Sequence, residues 1–269
     1  MTTLYLSLGA ILFYAAALVV VLRQLFTHTY ATQIAKYPFL VMSAIATILH
    51  SIVLYQTIVT PQGLLLDLFN MLSLISALMM AMLLLSVPRR PVENLSIVLL
   101  PVALSAICLR LLTQETASAL IQLSSELQLH ILLSVIAFSL LSIAAVQAIL
   151  LATQERHLRN HRPSGFIRAL PPMESMESLL FQVIYIGVVI LTLALFNGLL
   201  TLQDMFAQHL VHKTILSISA WLVFVTLIWG RWRYGWRGRM AIRWTLSGLF
   251  TLLLAYFGSK LVLELILNR

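Results

Sequence analysis

The chain has 269 residues, of which 61% are hydrophobic and only 10% are charged, and its formal net charge is +8. An ordinary soluble domain carries about 25% charged residues and must cover its outside with groups that face water. The composition therefore argues against a soluble protein or a nucleic-acid-binding domain. It indicates a membrane protein whose basic residues fix its orientation and meet anionic lipid head groups. The single cysteine, Cys108, excludes an intramolecular disulfide and a Cys-x-x-Cys-His haem-attachment motif.

Eight apolar runs follow one another along the chain, each near the length of about 20 residues that a helix needs to cross the hydrocarbon layer. We therefore predict an all-α polytopic membrane helical bundle of about eight transmembrane helices, forming a single transmembrane domain over residues 1–269. The first run has no small-residue cleavage site, which predicts that it is retained as a helix. The predicted spans are residues 3–25, 38–58, 64–86, 95–113, 128–152, 180–202, 213–230 and 241–266.

The charges of the loops predict the orientation. When alternate loops are assigned to opposite sides of the membrane, one side receives only Arg110, Lys213, Lys260 and Arg269, and the other side receives the remaining 13 of the 17 lysines and arginines. Cytoplasmic loops carry the excess of basic residues. The sequence therefore predicts that both termini lie on the outer (periplasmic) face of a bacterial cytoplasmic (inner) membrane.

His50 lies near the middle of the second predicted span, where a titratable group is costly and needs a reason to be present. At helical spacing it shares one face with Ser43, Thr47 and Ser51, which predicts that this face turns into the bundle. A neutral imidazole there is either a metal or haem ligand or a hydrogen-bonding partner of a neighbouring helix. The sequence leaves both alternatives open.

His130 begins the fifth predicted span at its outer end, where a histidine costs little and a structural role is also open. A strip of small residues follows it at Ala137, Ala144, Ala145 and Ala148. Such a strip predicts close helix packing or room for a flat ligand. In the sixth span, Ala194 and Gly198 form a further small-residue packing seam.

Three short motifs stand in the second half of the chain. Leu129-His130 is followed by Ser134, a helix ending near Trp229 leads into Gly235-Trp236-Arg237-Gly238-Arg239, and Tyr256-Phe257-Gly258 comes next. In this combination the chain resembles the cytochrome c assembly (CcsA/CcmC/ResC) membrane family, and is closest to its YpjD/HemX-like inner membrane branch. The resemblance covers nearly the whole length and is strongest from about residue 128 to 260.

The resemblance implies that haem is the cofactor and that histidines bind it. In this family, histidines in the membrane and near its outer face hold haem beside a tryptophan-rich outer loop. His50 matches the early membrane histidine and His130 matches the histidine ahead of that loop, so both are candidate haem ligands. The outer loop here has no tryptophan, Trp229 stands in place of the later membrane histidine, and the final outer histidine, near Leu267, is absent.

These features predict a haem-handling or haem-sensing inner membrane protein that is accessory to cytochrome c assembly rather than the attachment machinery itself. The alternative is a non-haem membrane scaffold or regulator of a partner protein that kept the fold. A channel or transporter comes third, with Lys260 and Glu264 as the residues to test. No nucleophile or general base indicates an enzyme, and no catalytic or metal-site residues are predicted. The predicted partners are membrane lipid, haem and another membrane or cytoplasmic protein, without nucleic acid.

Overall fold

The described parts of the chain are almost entirely helical. Eight of its helices are long and apolar enough to cross a membrane, which confirms the predicted all-α class and the predicted number of spans. The structure is a computed structural model, and it describes residues 2–26, 33–61, 63–88, 92–113, 125–160, 170–201 and 208–258.

The eight helices are α1 (Thr2–Phe26), α2 (Gln33–Ile58), α3 (Leu68–Ser86), α4 (Ser96–Leu112), α5 (Ser125–Arg159), α6 (Met173–Thr201), α7 (Gln208–Tyr234) and α8 (Gly238–Leu253). A 3-10 turn at Glu93–Leu95 precedes α4, and a π turn at Leu254–Gly258 continues α8. Two short strands, β1 (Val59–Thr60) and β2 (Gly63–Leu64), pair as an antiparallel hairpin between α2 and α3.

The first compact unit contains α1 to α4. Helices α1 and α3 each pack against both α2 and α4, so the four helices form a closed ring. Fully buried side chains such as Tyr14, Leu99 and Ile107 fill its interior. Helix α3 begins at Leu68 rather than at residue 64, because Leu64 belongs to β2 and Asp67 is the N-cap of the helix.

The second compact unit contains α5 to α8. Helix α6 packs against α7, and α7 packs against α8. Glycines allow close helix contact: a Cβ added at Gly187 would lie 2.8 Å from Leu141 Cδ2 on α5, and one added at Gly248 would lie 2.7 Å from the Phe224 ring on α7.

Helices α5 and α6 are longer than the transmembrane spans predicted from hydropathy. Helix α5 has 35 residues and continues seven residues past the predicted end at residue 152, and α6 begins seven residues before the predicted start at residue 180. The added turns carry Glu155 and Glu177, whose carboxylates pair with Arg239 and Arg231 at 2.8 and 2.6 Å. These ion pairs give the polar ends of α5 and α6 partners outside the apolar layer, so the helices continue there.

Candidate functional site

His50 is fully buried in the first unit, and both of its ring nitrogens have partners. Its Nε2 lies 2.7 Å from the Ser73 hydroxyl on α3, and its Nδ1 lies 3.4 Å from the Tyr14 hydroxyl on α1. The Tyr14 ring meets the imidazole edge-on, with 5.9 Å between the ring centroids. His50 therefore joins three helices, and no ring nitrogen is left over for a metal.

The hydrogen bonds around His50 allow two proton arrangements. Thr47 donates its hydroxyl proton to the Ser43 carbonyl at 2.7 Å, so its oxygen can accept from Tyr14, 3.3 Å away. In one arrangement Tyr14 donates to Nδ1 and Nε2–H donates to Ser73. In the other, Nδ1–H donates to Tyr14, Tyr14 donates to Thr47, and Ser73 donates to Nε2. Both ring nitrogens of His50 are paired in either arrangement, whereas the buried Ser43 hydroxyl on the same face of α2 has no partner among the described residues.

Ser51, one of the four residues predicted to form the buried polar face of α2, is exposed. Ser43, Thr47 and His50 are buried as expected, but Ser51 is exposed and donates only to the Thr47 carbonyl at 2.8 Å. The buried stripe of α2 is centred near Ala46 and His50, and Ser51 lies at its edge, about a quarter-turn or more from that centre.

A second polar cluster lies one helical turn from Ser73 on α3. The Asp67 carboxylate caps α3 by accepting from the Asn70 backbone N–H at 2.7 Å, and it also accepts from the Asn70 side-chain amide at 2.8 Å. The amide oxygen of Asn70 accepts from Arg110 Nε of α4 at 2.6 Å. Asn70 thus links a carboxylate to a guanidinium at the end of α3, a structural role that satisfies all of these groups.

His130 has a different environment in the second unit. Its Nδ1 lies 2.9 Å from the Ala194 carbonyl oxygen on α6, and its ring covers Gly198, where an added Cβ would come within 2.7 Å of the imidazole Cε1. The small-residue seam predicted in the sixth span therefore holds the His130 ring. Because a carbonyl oxygen can only accept, Nδ1 carries a proton, and Nε2 of the neutral ring keeps its lone pair.

The lone pair on Nε2 makes His130 suited to bind a metal centre such as haem iron. No hydrogen-bond partner of Nε2 occurs among the residues that the structure describes. A histidine whose Nδ1–H is fixed by a backbone carbonyl is the usual arrangement of a metal ligand, since the hydrogen bond sets both the tautomer and the ring orientation. Next to Gly198, the buried side-chain oxygen of Asn197 also lacks a partner within the described ranges. An unpaired buried acceptor of this kind is consistent with a site that a ligand or water completes.

Two of the sequence motifs meet beside this histidine. The Tyr256 hydroxyl of the π turn makes a hydrogen bond with Ser134, one turn along α5 from His130. The Phe138 ring packs against Tyr256 and Phe257, with centroid distances of 5.1 and 5.6 Å. The Tyr-Phe-Gly segment is therefore anchored to the helix that carries His130.

Two residues that contact His50, Tyr14 and Ser73, were not among the candidates predicted from the sequence. Tyr14 lies in an apolar run that gives no signal, whereas Asn70, Ser73 and Ser76 recur at a spacing of three in α3 and indicate its buried polar side. Lys260 and Glu264, the residues proposed for transport, lie outside the described residues. Within the described ranges, no group of three or more His, Cys, Asp or Glu side chains could hold a metal ion.

Comparison with known proteins adds sequence relationships to this geometry. A family model described as "Cytochrome C assembly protein" matches residues 39–267. Inner membrane protein YpjD of Escherichia coli K12 is 34% identical over 233 residues, which cover 84% of this chain and 87% of the relative. A protein of Azospirillum brasilense, described as an uncharacterized 28.8 kDa protein in the nifR3-like 5' region, is 32% identical over 199 residues, 72% of this chain and 73% of the relative. No solved structure matches at a significant level.

Proposed function

Because the chain belongs to the cytochrome c assembly protein family, as its motifs predicted, we propose that it handles or senses haem and is accessory to cytochrome c assembly rather than the attachment machinery. The chain is a multi-pass membrane protein. The E. coli relative is named an inner membrane protein, and the predicted bacterial inner membrane localisation is confirmed.

The observation that supports the proposal most is the hydrogen bonding of the His130 imidazole. Its Nδ1–H is held by the Ala194 carbonyl, and its Nε2 lone pair has no partner in the described part of the chain. Haem bound there would supply an iron centre that a histidine nitrogen can coordinate and that absorbs visible light. The chain's own part is to fix the imidazole against Gly198, so that Nε2 keeps one direction.

His50 is the weaker of the two candidate ligands. It could bind iron only by giving up its 2.7 Å contact with Ser73 or its contact with Tyr14. Either loss leaves a buried hydroxyl without its partner, which costs about 1–3 kcal/mol. The hydrogen-bonding role that the sequence left open is therefore the one we propose for His50.

The accessory role rests on the positions where the family's ligands are missing. Trp229, which stands in place of the later membrane histidine, is half exposed on α7 and packs against Tyr234. An indole has only an N–H donor and cannot bind iron. One suitable histidine among the described residues, together with an outer loop that has no tryptophan, supports haem sensing or transfer to a partner, without covalent attachment.

We propose the orientation from loop charge, with both termini on the outer face. The basic loops between α5 and α6 and between α7 and α8 then face the cytoplasm, where another membrane or cytoplasmic protein could bind them. The chemistry proposed for the chain is ligand binding, with no reaction assigned to it.

The test is an absorption spectrum of detergent-purified protein from haem-sufficient cells, for the wild type, His130→Ala and His50→Ala. We expect a Soret band in the wild type, a band at least about ten-fold weaker in His130→Ala, and a band of near wild-type strength in the folded fraction of His50→Ala. A band that disappears only in His50→Ala would reverse our assignment of the ligand.

A non-haem scaffold or regulator is the second candidate. It is favoured by the polar network around His50, in which both ring nitrogens are paired without any ligand. Under this alternative, all three well-folded proteins give flat spectra even after incubation with added haem. A flat spectrum in the wild type would therefore reject the haem proposal in favour of the scaffold.

A further inference from the structure

The turn between α7 and α8 carries a surface that the proposed haem function does not use. Helix α7 ends at Tyr234, and Gly235, with φ of +66°, donates its N–H to the Arg231 carbonyl at 3.1 Å. Glycine is favoured at this left-handed helix end because it has no Cβ. The Trp236 side chain then folds back onto Gly230, where its ring leaves no room for a Cβ. The turn is therefore fixed by local sequence.

Three of the arginines in this region hold the second unit together. Arg231 pairs with Glu177 at 2.6 Å and also donates to the Trp236 carbonyl at 3.1 Å. Arg239 pairs with Glu155 at 2.8 Å, and Arg237 lies 3.6 Å from the same Glu177 oxygen that binds Arg231. These three arginines share two carboxylates, those of Glu177 and Glu155.

Two further arginines, Arg233 and Arg243, remain exposed. Neither has a carboxylate within ion-pair distance in the described part of the chain, and the Arg233 guanidinium lies 5.8 Å from the centre of the Tyr234 ring. The described residues at this end of the unit carry more positive than negative charge. They are the six arginines Arg156, Arg231, Arg233, Arg237, Arg239 and Arg243, and the three glutamates Glu155, Glu174 and Glu177.

A row of aromatic rings extends from Arg233 to Trp244, the residue that follows Arg243. Tyr234 stacks on Trp236 with 6.3 Å between centroids, and Trp236 packs against Trp244 at 5.4 Å, next to Arg243 in the chain. We call the set Arg233, Tyr234, Trp236, Arg243 and Trp244 the arginine–tryptophan face. Tryptophan and tyrosine are enriched where the bilayer meets water, because one end of each ring system is apolar and the other is polar.

The depth of this face follows from the helix that carries it. Leu222 is exposed on α7, as expected for a lipid-facing side chain near the middle of the membrane. Arg233 lies eleven residues further on, which is about 16 Å along a helix axis. Half of the hydrocarbon layer is about 15 Å thick. Arg233 is thus at the edge of the hydrocarbon layer, from which its long side chain can reach lipid phosphates, and the neighbouring Trp232 is 79% exposed.

We propose that the arginine–tryptophan face binds the head group of an anionic phospholipid, with Arg233 and Arg243 as the donors to its phosphodiester. Charge complementarity at phosphate depth selects this occupant: the face has surplus guanidinium groups, which suit phosphate oxygens, and aromatic neighbours that accept the glycerol and upper acyl region. The site is separate from His130 and does not depend on haem.

The experiment is native mass spectrometry of the full chain released from detergent after equilibration with equimolar phosphatidylglycerol and phosphatidylcholine. We expect the wild type to retain phosphatidylglycerol preferentially. Arg233→Gln and Arg243→Gln should each reduce that preference about five-fold. Arg156→Gln is the matched control, since it removes an exposed arginine from α5 that is outside the arginine–tryptophan face, and it should keep the wild-type preference.

Each other outcome contradicts the proposal. Equal retention of the two lipids by the wild type would mean that the face has no anionic-lipid site. An equal loss in Arg156→Gln would mean a diffuse charge effect without a defined site. Displacement of the lipid by millimolar glycerol phosphate would mean that the face takes a soluble phosphate instead. Thermal unfolding in phosphatidylcholine alone checks that each variant is folded, and we expect no change there.

Discussion

His50 and His130 are both histidines in membrane-spanning helices, yet the two units of the molecule hold them in opposite ways. In the first unit, His50 is fully buried and bonded through both ring nitrogens to side chains of α1 and α3. In the second unit, His130 is bonded through one nitrogen to a backbone carbonyl and rests on a glycine. The first arrangement completes a polar core, and the second orients a lone pair.

The difference shows why an intramembrane histidine alone is a weak indicator of a ligand site. Burial does not distinguish the roles, since the more buried residue, His50, is the one without a free nitrogen. The identity of the partner does distinguish them. A hydroxyl can donate or accept and so satisfies either nitrogen, whereas a carbonyl can only accept and so fixes which nitrogen remains basic.

The largest expected effect is on stability. His50→Ala should lower the free energy of unfolding by about 3 kcal/mol, because it leaves a cavity and removes a partner from two buried hydroxyls. His130→Ala removes one hydrogen bond from a partly exposed ring and should cost about 1 kcal/mol. Thermal or denaturant unfolding in detergent measures both. Equal losses would show that our distinction between the two units is wrong.

The next prediction compares two glycine substitutions that should affect stability alike but haem binding differently. Gly198→Ala places a Cβ 2.7 Å from His130 Cε1 and must displace the ring, while Gly187→Ala places one 2.8 Å from the flexible Leu141 side chain. Overpacking costs about 1–3 kcal/mol, partly offset by the better helix propensity of alanine, so we expect both variants to lose about 1 kcal/mol of stability. Only Gly198→Ala should also lose the Soret band. Retention of the full band in Gly198→Ala would mean that the seam does not orient the ligand.

Much of this fold could be predicted from hydropathy alone, because in a bilayer each span must satisfy its own backbone and be apolar over its whole length. The count of eight helices follows from that rule. The helix ends do not, because α5 and α6 continue on account of Glu155 and Glu177, whose arginine partners lie 84 and 54 residues away in the chain. No local pattern shows a pairing of that range.

The residues of the candidate site could be predicted from the sequence, but the contacts between them could not. His50, His130 and the Ala194–Gly198 seam were each visible in the sequence as polar or small residues in apolar runs. That the seam receives the His130 ring depends on α5 and α6 being neighbours, which no local pattern determines. Ser51 shows the limit for a single helix: four residues suggested one face, and only the neighbouring helices decide where that face is centred.

The smallest expected effect tests the hydrogen-bonded core of the first unit. Ser73→Ala leaves His50 Nε2 without its partner at 2.7 Å, and the ring can then bond only through Nδ1 to Tyr14. Interhelical hydrogen bonds in membranes contribute about 0.6–2 kcal/mol. We therefore expect Ser73→Ala to lower the free energy of unfolding by about 1 kcal/mol. The matched control is Ser76→Ala, since buried Ser76 donates only to the Ser73 backbone carbonyl on its own helix and its removal should be close to neutral. If the two variants were equally stable, the His50–Ser73 hydrogen bond would add nothing to the packing of α2 against α3. The Nε2 atom of His50 would then be as available to a ligand as the Nε2 atom of His130.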